Sequence, residues 1–355
     1  MTQRSRVILE GVVPFVAAGL LFGLLYNTLF YPRTLVEYIE AGTIGALLGA
    51  VAGIAEQSVL TRWLQRRWFV HAIVLRTLVY SLFVGLSLSL VLSVEPAARG
   101  ECSYPECFAR YVRGPLFARD FVFSTVFVFV AAFFAEIVLL VGTRNIGRLL
   151  TGRYRRPREL HAEFMFVDLR GSTTIAEKLG HERYSSFLSD FFIDISGAIH
   201  QAKGEIYQYV GDEVVIVWPG KRAAGHWLDC FSKMRASVAA QRLQYEAKYG
   251  VIPEFKAGVH GGAVVVAEVG AVQRALVYHG DVLNTAARIQ AKCNETGFDL
   301  LATSEALSSV ARDRQARFEP IGPLGLRGKT GTIEVFGLTD SRVNRQSDRT
   351  QHLAD

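Results

Sequence analysis

Two aspartates stand where an ordinary core would not place them. The stretch FMFVDLRGST, residues 164–173, carries Asp168 at the end of an apolar run and leads it into a turn. The stretch GEIYQYVGDEVVIVW, residues 204–218, reads as two strands joined at Gly211-Asp212, which puts Asp212 at a hairpin tip. A lone carboxylate in a dry site loses its hydration at high cost. Two at neighbouring strand ends repel, and one stays protonated unless a cation lies between them. Such oxygen ligands suit Mg²⁺, which takes one or two carboxylates together with substrate phosphates. Either aspartate alone also fits a plainer reading, because Asp beside Gly commonly just makes a turn.

A second polar pair, Asn284 and Arg288, lies four residues apart on a helix predicted over 281–293, so both project from one face. A solvated face of an amphipathic helix has the same pattern. In LRGKTG, Arg327 and Lys329 place two cations in a loop, where such a pair is commonly just solvated.

The elements that must position these residues begin near 160. LHAEFMFVD reads as a buried strand, 174–203 as a helix and 225–249 as another. Strands follow at 254–260 and 263–269, then RALVYHG, the helix at 281–293 and a closing strand in GTIEVFGL. Helices mixed with adjacent hairpins predict an α+β domain.

The first 142 residues are of another kind. Half of the 355 residues are hydrophobic, and the surplus sits here in four apolar stretches: 11–31, 41–61, 70–94 and 121–142. Each approaches the ~20 residues that carry a helix across a bilayer. The first follows Arg4 and Arg6, but its length and the lack of a small-x-small cleavage site favour a retained helix over a signal peptide. Arg62, Arg66 and Arg67 after the second stretch, and Arg144 to Arg158 after the fourth, predict cytoplasmic flanks and cytoplasmic termini in a multi-pass inner-membrane protein. The net charge of +6 is then mostly a topology signal, and no nucleic-acid motif claims it. Glu56, Arg76 and Glu136 fall at similar depth in three different spans, which predicts an interhelical charge cluster. Cys102 and Cys107, in an outer loop, are expected to form a disulfide, and Cys230 and Cys293 to stay reduced. The organisation expected is a four-helix transmembrane domain over 1–143, a basic linker over 144–160, a folded domain over 161–340 and a disordered tail over 341–355.

The blocks FVDLRGST, YQYVGDEVVIVW, YHGDVLNTAARIQ and LRGKTGTIEVFGL, in that order over about 160–338, resemble the class III nucleotidyl cyclase catalytic domain. The amino-terminal half resembles the polytopic membrane anchors such enzymes carry. The resemblance implies a ferredoxin-like α+β fold and two ions, Mg²⁺ or Mn²⁺, held by Asp168, Asp212 and the carbonyl of Leu169. It implies that the backbone of Arg170, Gly171, Ser172 and Thr173 cradles phosphates. Asn284 would orient the ribose, Arg288 would stabilise the α-phosphate, and Arg327, with Lys329, would hold the terminal phosphates. The family's adenine-selecting lysine is here Gln208, and its Asp or Thr partner is Val277. The glutamate of guanylate-type members is absent, so ATP is the expected substrate. A guanylate cyclase and a catalytically degenerate nucleotide-binding module on a membrane receptor are the alternatives. Because such sites are shared between two catalytic domains and this chain carries each half once, a homodimer is implied. The membrane half leaves room for a ligand that the sequence does not name.

Overall fold

The computed structural model describes residues 3–30, 34–56, 69–141, 156–220, 225–270, 275–325 and 332–340. The chain divides into two compact units, Met1–Thr151 and Gly152–Asp355, described here one at a time.

The first unit is helical: α1 (Gln3–Phe30), α2 (Leu35–Glu56), α3 (Phe69–Leu92), α4 (Val94–Ala98), α5 (Tyr104–Arg113) and α6 (Pro115–Val141). Four of them are long and apolar enough to cross a membrane, over Val12–Phe30, Leu35–Ala55, Ile73–Ala98 and Pro115–Ile137. The second span therefore starts six residues before the predicted Ala41. Thr34 and Glu37 explain the shift, since the Thr34 N–H donates to Glu37 Oε2 (3.3 Å) and the Glu37 N–H to Thr34 Oγ1 (3.4 Å). That reciprocal cap starts the helix ahead of the apolar run and carries Glu37 and Glu40 inside it.

Helices α1 and α2 meet backbone to backbone. A Cβ on Gly19 would lie 2.1 Å from the Gly45 carbonyl oxygen, and one on Gly23 2.0 Å from that of Ala41. Only a seam of small residues permits this approach, the usual device where lipid removes the hydrophobic drive between helices. The predicted outer loop 95–120 is largely helical: α5 begins at a Ser103/Glu106 capping box beside the Cys102–Cys107 disulfide. Buried Arg76 on α3 pairs with Glu136 on α6. The side chain of Glu56 lies outside the described residues.

The second unit begins with β1 (Arg158–Leu169), which enters what the sequence assigned to linker. There follow α7 (Ser172–Leu179), α8 (His181–Gln201), β2 (Glu205–Val210), β3 (Glu213–Pro219), α9 (Trp227–Ala240) and α10 (Arg242–Tyr249). The chain continues through β4 (Phe255–Val269), β5 (Ala275–His279), α11 (Asp281–Thr296), β6 (Leu300–Thr303) and α12 (Ser304–Leu307). It ends in α13 (Arg312–Gln315), β7 (Phe318–Gly325) and β8 (Thr332–Leu338). The described sheet runs β2-β3-β1-β4-β6-β8-β7, with β5 paired to β4. Its first four strands, with helices between β1 and β2 and between β3 and β4, form the ferredoxin-like core.

Four predicted elements differ from this. The helix at 174–203 breaks at Gly180, and the one at 225–249 at Gln241. The strands at 254–260 and 263–269 are one, because Gly261 and Gly262 continue the ladder opposite Glu163 and Ala162.

Side-chain alternation along β1 divides the packing. Met165, Val167 and Leu169 face a cluster with Phe187, Phe191, Trp227 and Phe231 from α8 and α9. Ala162, Phe164 and Phe166 face Val282 and Ala286 of α11. Asp168 has the parity of the second set and faces the α11 side.

Candidate active site

β1 delivers Asp168 at its carboxyl end, and the β2–β3 turn delivers Asp212 beside it. Gly211 sits in the left-handed region (φ 62°), which lets the turn close in two residues. The register sets a charged row across three neighbouring strands: Lys256 on β4, Asp168 on β1 and Glu213 on β3 stand directly opposite one another. Lys256 Nζ lies 3.0 Å from Asp168 Oδ2, and Gln290 Nε2 on α11 donates to the same oxygen at 3.0 Å.

Burial, and after it neighbouring negative charge, raises the pKa values of three groups in the site. Burial raises the Asp168 carboxyl above its ordinary pKa, Lys256 opposes the rise, and the charge of Asp212 adds to it; the net direction is up despite the ion pair. Burial, then the charges of Asp168 and Asp212, push Glu213 up to about 7. Burial, and next the charge of Asp212, raise the Tyr184 hydroxyl, which bonds to Ser172. Three carboxylates against one lysine leave the cluster short of positive charge, and oxygen donors of this kind fit a hard divalent cation. Among the described residues no three acidic, His or Cys side chains converge as a metal-ligand set. Leu169 is a buried core residue, paired with Phe255 in the ladder.

Of the four residues expected to cradle phosphates, Arg170 has its amide engaged elsewhere. The Arg170 N–H is already spent, donating to the Glu254 carbonyl at 2.8 Å. Its guanidinium bonds Asp299 Oδ1 (2.9 and 3.1 Å), Asn294 Oδ1 (3.1 Å) and the Phe298 carbonyl (3.0 Å). Arg170 thus pins the turn to the end of α11. Gly171 adopts φ 63° and stands at the cap position before α7, whose amino end favours negative charge.

Asn284 and Arg288 share the outer side of α11; Asn284 is exposed and Arg288 half-buried. They do not lie on the buried side that carries Gln290 to Asp168. Gln208 is exposed on β2 beside a bulge, opposite Val215, and half-buried Val277 pairs with Ala267. Arg327 and Lys329 lie outside the described residues.

Sequence reasoning missed Lys256, Gln290, Glu213 and Tyr184. A lysine inside the otherwise apolar run FKAGV was the one available signal, since buried lysines need a partner.

Comparison with known proteins adds relatives. The chain is 32% identical over 222 residues to Adenylate cyclase 2 of Rhizobium meliloti (strain 1021), covering 60% of this chain and 61% of that one. It is 30% identical over 184 residues to Adenylate cyclase 1 of the same organism, covering 48% of this chain and 26% of that one. The chain thus spans less than two thirds of either relative. Among solved structures, the adenylyl cyclase CyaB from P. aeruginosa aligns with a TM-score of 0.46 at 21% identity, over 53% of this chain and 97% of that one. The guanylyl cyclase Cya2 aligns with a TM-score of 0.44 at 18% identity, over 52% and 93%. Residues 158–340, just over half of the chain, match the Adenylate and Guanylate cyclase catalytic domain, and the chain belongs to that family.

Proposed function

We propose that this protein is a membrane-bound adenylate cyclase that converts ATP to 3′,5′-cyclic AMP and pyrophosphate at a site shared by two copies of the chain. The carrying observation is the cluster of Asp168, Asp212 and Glu213 at the ends of β1 and β3, with one lysine, Lys256, on Asp168. The names of the two Rhizobium relatives support the cyclase reading and adenine as the base.

Asp168 and Asp212, with the Leu169 carbonyl, would hold two Mg²⁺ or Mn²⁺ ions. Such ions activate the attacking oxygen and stabilise the leaving one in an in-line displacement. The ribose 3′-hydroxyl loses its proton to solvent and its oxygen bonds the α-phosphorus as the bond from that phosphorus to the bridging β-phosphate oxygen breaks, and pyrophosphate leaves. The amides of Gly171, Ser172 and Thr173 hold the β- and γ-phosphates. Asn284 orients the ribose, and Arg288 neutralises charge developing on the α-phosphate, a contribution on the order of a few kcal/mol. Arg327 and Lys329 would reach the terminal phosphates. The arginine-rich flanks support a topology with both termini on the cytoplasmic side of the inner membrane, where ATP is available.

A guanylate cyclase is the second reading, because the exposed Gln208 offers both a donor and an acceptor to a purine edge. Product analysis separates them. The purified chain with Mn²⁺ should release cyclic AMP and pyrophosphate from ATP faster than it cyclises GTP. Asp168→Asn and Asp212→Asn should each lose on the order of 100-fold or more of that rate while remaining folded. Near-normal turnover in either folded variant would remove the metal assignment.

A further inference from the structure

Lys256 has no part in the chemistry above, yet its placement is unusual. It is 7% exposed, on a strand whose neighbours Phe255 and Ala257 are core residues. A buried ammonium is costly unless paired. The ladder stands Lys256 directly opposite Asp168, and its Nζ lies on Asp168 Oδ2 at 3.0 Å. Its charge is also felt by Glu213, while the thiol of Cys293 nearby stays neutral, pushed up to about 12 by burial. Gln290 donates to the same Oδ2 from α11. Without a cation, this row would stack carboxylates beside one another across neighbouring strands.

We propose that Lys256 is a positioning residue for the metal site: a resident counter-cation that holds Asp168 and its neighbours together before metal arrives, and that weakens metal binding until nucleotide brings compensating charge. The inference rests on the reading of Asp168 and Asp212 as metal ligands. A fixed positive charge on one oxygen of Asp168 repels an incoming divalent ion at short range. Triphosphate carries enough negative charge to offset that repulsion, so metal and nucleotide load together rather than metal first. Gln290 fixes the rotamer of Asp168 without adding charge.

The test uses the full chain in detergent and Mn²⁺ alone, with no nucleotide. Free Mn²⁺ is followed by electron paramagnetic resonance and stability by thermal melting. Lys256→Met should bind Mn²⁺ on the order of tenfold more tightly than wild type, because a unit charge is removed within a few ångströms of the ion. It should also melt lower in metal-free buffer and gain more from Mn²⁺. Lys256→Arg, which keeps the charge, should stay near wild type. Unchanged or weaker Mn²⁺ binding in folded Lys256→Met would overturn the inference. Should Lys256→Met fail to fold, Asp168→Asn/Lys256→Met should fold as well as Asp168→Asn, since no unpaired carboxylate remains. Failure of that double variant too would make Lys256 a packing residue and overturn the inference. Binding that Asp168→Asn abolishes but Lys256→Met does not tighten defeats this inference alone. Absence of Mn²⁺ binding in both wild type and Lys256→Met defeats the metal reading beneath it.

Discussion

Gln290 and Arg288 stand two residues apart on α11 and serve opposite sides of it. Gln290 is buried and donates to Asp168 of its own chain at 3.0 Å, whereas Arg288 shares the outer side with exposed Asn284. At 3.6 residues per turn the two side chains diverge by ~200°. A helix fixed by one of them against the aspartates cannot also bring the other to them. This divergence supports a site completed by a second copy.

Base choice should respond to Gln208 and Val277. Gln208→Lys with Val277→Asp should raise the ATP-to-GTP ratio of kcat/KM by ~10-fold or more, the usual return from a matched polar contact. Gln208→Glu should shift it toward GTP. Competition assays with both nucleotides measure the ratio, and no change in either variant would free these positions from reading the base.

The metal-free site should lose stability as pH rises. Glu213 holds its proton to about 7 in the folded protein, above the ordinary 4.5, so the native state binds more protons than the unfolded one. Its contribution is present below the unfolded pKa and is lost as pH climbs toward 7. Asp168, also raised, acts in the same direction. Glu213→Gln should therefore melt a few degrees above wild type in chelator near pH 8, with the gap closing near pH 5. A gap that is constant with pH would contradict the assignment.

These groups show how far the sequence could be read. Asp168 and Asp212 were legible because a carboxylate ending an apolar run breaks the period of a buried strand. Asn284 and Arg288 were legible as one helical face. Lys256, Gln290 and Tyr184 were not, because their roles depend on register between β1 and β4 and on how α11 and α8 lie over the sheet. The early start of α2 went unseen because apolar composition locates a span, while a Thr34–Glu37 cap sets its first residue. The strands β6 and β7 escaped because four residues of LLAT, and a β7 segment carrying Pro320 and Pro323, give no periodic signal.

Arg76 and Glu136 pair inside the helical unit. Arg76→Leu should leave Glu136 unpaired in apolar surroundings and lower the melting temperature in detergent by several degrees, with a parallel change in cyclase output. Glu136→Gln, which keeps a hydrogen-bonding acceptor for the arginine, should be milder. An identical melting profile and activity in Arg76→Leu would reduce the pair to an incidental contact.

The shared site is tested most directly by complementation. Asp212→Ala and Arg288→Ala should each be inactive as homodimers, one lacking the proposed metal ligand and the other the proposed α-phosphate cation. Co-expressed with different affinity tags and purified through both, they should recover roughly a quarter to a half of wild-type activity, since each mixed dimer regains one intact site of two. No recovery in heterodimers shown to carry both tags would contradict a site built from two chains.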